Sequence, residues 1–168
     1  DRAAELYRPG FFPDVRPIAA IKARIWIAQG NLSEAAEWGW DRGVSVTDDA
    51  SYLSEFDHLT LVRLILAQRR ADQHGSALVQ AAGLLDRLLA AAETSGRARS
   101  SVEIRLLTAL VQDAQGRRTQ ALESLARALG LAPEPECFVR LFLDEGAPML
   151  LLLRDATHHD VAGGADYQ

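Results

Sequence analysis

Residues 115–133 read Gln-Gly-Arg-Arg-Thr-Gln-Ala-Leu-Glu-Ser-Leu-Ala-Arg-Ala-Leu-Gly-Leu-Ala-Pro, and the fold follows from how this stretch must be laid out. Gly116 ends one helix. After a short turn, Ala121, Leu122, Leu125, Ala128 and Leu129 recur at i, i+1, i+4, i+7 and i+8, a single apolar stripe of a second helix. Pro133 closes that helix, because it pushes the residues before it toward extended geometry and has no N–H to donate. The small side chain at Ala121 lets two antiparallel helices approach closely. A hairpin of this kind cannot bury its apolar face alone, so neighbouring hairpins are implied.

Working outward, the same pattern recurs upstream. Asp1–Tyr7 reads as the end of a helix closed by Pro9-Gly10, and Phe11-Phe12-Pro13 as an apolar turn tucked against the next helix. Ile18–Gln29 is helical, with Ile21, Ile25 and Ala28 on one face, and Gly30 breaks it. Asn31 is placed to cap the next helix with Glu34 reaching back, and that helix carries Leu32, Ala35, Ala36 and Trp38 before Gly43. A polar connector, Val44–Ser54, leads to a helix from about Tyr52 to Arg69 with Leu59, Val62, Ile65 and Leu66 inward. A polar break at Ala71–Gly75 precedes a helix over Ala77–Glu93 with Leu84, Leu85, Leu88, Leu89 and Ala92 as its stripe. Gly96 ends it, and Ser101–Gln115 packs with Ile104, Leu107, Val111 and Ala114. Three first helices each close on an Ala-Gln pair: Ala28-Gln29, Ala67-Gln68 and Ala114-Gln115.

Composition supports helix over sheet: 48% of residues are hydrophobic, with much Ala and Leu and few β-branched or aromatic residues. The net charge of -5 and the absence of any long basic run argue against direct nucleic-acid binding. Cys137 is the single cysteine, which excludes an internal disulfide and a cysteine-cluster zinc site. The apolar run Ala147–Leu153 is too short to span a bilayer, so no membrane partner is expected. Starting without Met or a leader, the chain reads as an internal piece of a larger cytoplasmic protein.

The Gly116-to-Ala121 spacing with its terminal proline resembles the helix junction of a tetratricopeptide (TPR) hairpin, whose plain unit is roughly 34 residues. The Ala-Gln landmarks lie further apart than that, which the two polar insertions explain. The expected fold class is all-α: a TPR-like, right-handed α-solenoid of antiparallel helical hairpins over 1–156. A capping helix at Glu136–Leu143 closes it, and 157–168 follow as a flexible linker.

Phe138-Val139-Arg140-Leu141-Phe142-Leu143-Asp144-Glu145-Gly146, with the Gly-ended helices at Ala23–Gly39 and Ala114–Ala132, resembles the repeat region of large ATP-binding LuxR-type (MalT-like) transcription regulators. No phosphate-binding Gly-x-x-x-x-Gly-Lys loop and no basic recognition helix occur in these residues. The resemblance therefore implies a sensor and signal-relay module without catalytic residues. It would receive a small-molecule inducer or protein effector, control assembly of the regulator, and reach DNA only through a domain absent from this fragment. The rivals are a free-standing TPR interaction scaffold and a homo-oligomerisation module.

No arrangement for catalysis is evident, no cofactor is expected, and no metal site is assigned. His158-His159 beside Asp155 and Asp160 is weaker as a metal grip than as a solvated tail. Registering the hairpins on their Ala-Gln ends brings Arg24 and Arg63 to equivalent positions, a forked donor for a carboxylate or phosphate. The alternative is surface arginines paired with nearby acids. Trp26 and Trp40, with Tyr52 and Phe56, form an aromatic set able to stack on a sugar or anchor a peptide, whereas Trp38 falls on the packing stripe. Gly146 is expected to end the capping helix, while Asp144 and Glu145 are expected to pair with Arg140 or a neighbouring arginine. The turn acts as a brace or as a relay toward the output domain.

Overall fold

The structure, a computed structural model, describes residues 14–69, 75–132 and 135–163. Among these residues it is all-α, with eight helices and no strand. They are α1 (Ile18–Gln29), α2 (Leu32–Arg42), α3 (Glu55–Gln68), α4 (Gly75–Thr94), α5 (Ala98–Ala114), α6 (Arg118–Gly130), α7 (Pro135–Leu143) and α8 (Ala147–Gly163). The chain divides into two compact units, Asp1–Ala91 and Ala92–Gln168.

The chain reverses by one repeated device. At Gly30, Gly43, Gly96 and Gly116 the backbone enters the left-handed region with φ between 65° and 81°, where only glycine is unstrained. At each, the glycine N–H bonds the carbonyl three residues back and the following N–H bonds the carbonyl five back, the Schellman closure of a helix. Asn31 contributes no side-chain cap, contrary to the capping box expected with Glu34. The reversal at Gly30 is held by backbone bonds instead: Gly30 N–H to Ile27 at 3.1 Å and Asn31 N–H to Trp26 at 2.9 Å.

In the first unit α1 and α2 form a hairpin, and α3 packs on both. Their shared core is Ala20, Ala23 and Trp38, with Trp26, Val44 and Phe56 packed against it. The apolar face of α1 marked by Ile21, Ile25 and Ala28 is not the one that enters this core. Ile21 and Ile25 are 42% and 52% exposed, Ala28 is exposed, and the alanines face inward. α1 is apolar on nearly every side, so periodicity alone gives it no direction; the close approach of α2 and α3 selects the smallest side chains. α3 begins at Glu55, not Tyr52, and buries Leu59 and Val62. α4 buries Leu78, Ala81, Leu84, Leu85 and Leu88 at three- and four-residue spacing. Residues 1–13 and the break at 71–74 lie outside the described residues.

In the second unit α5 and α6 form the predicted hairpin, α6 packs on α8, and α7 pairs with α8. Ala121, Leu125 and Ala128 are fully buried, as are Ile104, Leu107 and Val111 of α5. Leu129 is instead 41% exposed and Leu131 42%, at the far edge of the stripe. α6 ends at Gly130; Pro133, the expected stop, lies outside the described residues. α7 buries Phe138 and Phe142, and α8 buries Met149 and Leu152. The helix α8 continues through Gly163 and so includes Thr157.

Candidate functional site

α1, α2 and α3 place most of the sequence-predicted binding residues in one three-helix arrangement, and α3 supplies an unusual run of buried polar groups. Glu55, Asp57, His58 and Thr60, all in its first half, are buried. Such groups are costly unless bonded, and each bond identifies an element that α3 holds in place.

Arg24 of α1 is the most constrained of them. Its Nε donates to Thr60 Oγ1 at 2.9 Å, and its guanidinium carbon lies 3.7 Å from the centroid of the Phe56 ring. Thr60 Oγ1 in turn donates to the Phe56 carbonyl at 2.7 Å. One hydroxyl thus links the ring-bearing residue and the cation that covers that ring. Trp26, half-buried against the core, has the Lys22 ammonium 4.8 Å above its ring, on the same face of α1 one turn earlier. Arg63 turns its Nη1 to the Leu59 carbonyl at 3.3 Å, one turn back on its own helix. Arg24 thus reaches across to α3, while this bond of Arg63 runs along α3.

The aromatic set is likewise divided. Trp38 is core, Phe56 lies beneath Arg24, and Tyr52 in the connector is half exposed. Trp40 is 86% exposed.

The Val44–Ser54 connector is tied down at several points. Asp48 accepts the Ser45 N–H at 2.8 Å and meets His58 Nε2 at 3.3 Å, while Arg87 of α4 donates to the Val46 and Asp48 carbonyls. The Ser45 N–H bond, helped by His58 and by the Arg87 charge against a smaller desolvation effect, lowers the Asp48 carboxyl below the ordinary carboxylate range. Arg42 of α2 donates its Nε to Asp57 Oδ2 at 3.1 Å. These contacts were absent from the sequence reading. Only the four-residue offsets of Lys22 to Trp26 and Phe56 to Thr60 were available there as signals.

At the other end of the chain, the Asp144-Glu145-Gly146 turn is organised by backbone bonds. Asp144 N–H donates to the Arg140 carbonyl at 2.9 Å, and Gly146, at φ 69°, closes α7 through Leu143, the termination expected for it. Arg140 joins this turn through its carbonyl. The ionic centre of this unit is Arg118, at the first position of α6. It bonds Asp113 of α5 at 2.6 Å, Asp155 of α8 at 3.1 Å through Nε, and the Leu151 carbonyl. The bonds to Asp113 and Asp155 raise its pKa further above the usual guanidinium value. No group of three or more His, Cys, Asp or Glu able to hold a metal occurs among the described residues. No helix among them is long and apolar enough to cross a membrane.

Residues 1–159 match the family model of the MalT-like TPR region. That is most of the chain, and the protein belongs to this family. No curated protein and no solved structure matches it.

Proposed function

We propose that this member of the MalT-like TPR family is the ligand- or protein-binding sensor and signal-relay domain of a LuxR-type transcription regulator, acting in the cytoplasm, and that its effector engages the face where α1 meets α3. The observation that carries the reading is the Arg24 assembly. A guanidinium fixed by Thr60 and stacked on Phe56 has already lost its rotamer freedom. An arriving ligand therefore meets a preorganised cation, which lowers the entropic cost of binding. With Lys22, Trp26 and Arg63 on the same two helices, the chemistry is cationic and aromatic. It suits a small molecule bearing a carboxylate or phosphate, or an acidic segment of a protein effector.

Relay toward a DNA-binding domain is assigned to the second unit. Arg118 ties the end of α5 and the start of α6 to α8, so a shift in that hairpin is felt by the C-terminal helix. The reading is supported by membership of the family and by this brace.

A thermal-shift screen of anionic metabolites tests the binding face, since a ligand selective for the folded state raises its melting point. A ligand that stabilises the wild type and loses its effect in Arg24→Ala/Arg63→Ala supports the site. Equal stabilisation of the variant refutes it. Quenching of tryptophan fluorescence by the same ligand, lost in Trp26→Phe, localises the contact to α1.

A further inference from the structure

α2 carries a second, different surface. At roughly 100° per residue, Ser33, Glu34, Glu37, Trp40 and Asp41 fall within about 120° of one another on the helix, outside the arc of Ala35 and Trp38, which enter the core. All five are exposed, Trp40 at 86%. The face holds three carboxylates and no cation. The one basic residue of α2, Arg42, projects to the other side and is engaged by Asp57. No hydrogen bond, ion pair or ring contact reaches the side chain of Glu34, Glu37, Trp40 or Asp41 among the described residues.

Two other aromatic rings of the first unit lie under cations. Trp26 lies under the Lys22 ammonium and Phe56 under the Arg24 guanidinium, each cation supplied by the chain itself. Trp40 has the same ring chemistry, the best of the aromatics for a cation, without an internal cation to cover it. The three carboxylates beside it add the attraction that brings a cation there.

We propose that this face of α2 is a docking surface for a partner protein through a cationic segment, with one arginine or lysine over the Trp40 ring and others paired to Glu37, Asp41 and Glu34. The charge pattern sets the choice of occupant. Nucleic acid and anionic membrane surfaces are repelled by it. A second copy docked through the same face would oppose carboxylate to carboxylate about its two-fold axis. The surface is separate from the α1/α3 face and stands without it.

The test titrates the full chain into a labelled helical peptide with arginine at every third and fourth position, read by fluorescence anisotropy. A peptide with glutamate at those positions serves as the reference. Binding of the arginine peptide alone is expected. Trp40→Ala should weaken it about 3- to 5-fold, the scale of an exposed cation–π contact. Glu37→Gln/Asp41→Asn should weaken it at least as much and flatten its dependence on salt. Asp86→Asn/Glu123→Gln removes two exposed carboxylates from other helices, and is expected to leave the affinity unchanged. All substituted side chains are exposed, so melting points should stay at the wild-type value, and circular dichroism verifies the fold of each variant. The proposal is overturned if the control pair weakens binding as much as the α2 pair, or if Trp40→Ala has no effect. It is also overturned if sedimentation shows the chain associating with itself in a manner that Trp40→Ala abolishes.

Discussion

Replacing Arg42 by methionine should destabilise the first unit by about 2–3 kcal/mol. Asp57 is only 4% exposed, and its Oδ2 is bonded to Arg42 Nε at 3.1 Å. Its Oδ1 is buried with no hydrogen-bond partner among the described residues, so Arg42 is the cation that offsets the charge. Two unit charges about 4 Å apart attract by roughly 4 kcal/mol at an effective dielectric of about 20. The Arg42 side chain is 49% exposed, so solvent screens part of this, and breaking a fully buried pair costs about 3–5 kcal/mol. The lower range follows. Urea denaturation followed by circular dichroism should show the midpoint falling by roughly 1 M at an ordinary slope. The second variant carries the argument: Arg42→Met/Asp57→Leu removes both charges and should return to within about 1 kcal/mol of wild type, because an apolar pair replaces a buried ionic one at little cost. If Arg42→Met lies within about 0.5 kcal/mol of wild type, the attraction at this site has been overestimated. If the double variant is no more stable than the single, the loss comes from packing of the arginine stem and not from a stranded carboxylate.

The remaining expectations concern the connector and the turns. The folded pKa of Asp48 lies below its unfolded value of about 4, so its contribution is fully present above that range and is lost as pH falls through the lowered folded value. Asp48→Asn should therefore flatten the acid limb of the stability–pH curve below about pH 4 and leave its shape at neutral pH unaltered, as read by denaturation at a series of pH values. Gly116→Ala should cost about 1–2 kcal/mol in the same denaturation assay. At φ 78° an L residue is strained, yet no atom lies within 4 Å of the added Cβ, so the loss is purely conformational.

What was legible in the sequence was the part written in local spacing. The helix over Ile18–Gln29, the reversals at Gly30, Gly43, Gly96 and Gly116, and the buried stripe of Ala121, Leu125 and Ala128 all depend on residues within a few positions of each other. The orientation of α1 was not legible, because isoleucines and alanines surround that helix and only the approach of α2 and α3 decides between them. The buried polar half of α3 was hidden for a related reason. Thr60, Asp57 and His58 find their partners in Arg24, Arg42 and Asp48, separated by 36, 15 and 10 residues. Read alone, the sequence of α3 gives only its apolar positions, such as Leu59 and Val62. The Arg24–Arg63 register was equally a matter of spacing, which does not show the bonds from Arg24 to Thr60 and from Arg63 to the Leu59 carbonyl.

The repeated glycine closure has a consequence for how such a domain can change over generations. Both hydrogen bonds that reverse the chain at each junction run between backbone groups, and the single side-chain requirement is that one residue have none. The path of the chain is therefore uncoupled from the identity of the residues on the outer faces of the helices. Positions such as Glu37, Trp40 and Asp41 can be exchanged for others without loosening a turn or opening the core. New recognition can then arise one surface residue at a time, on a scaffold whose folding does not have to be solved again.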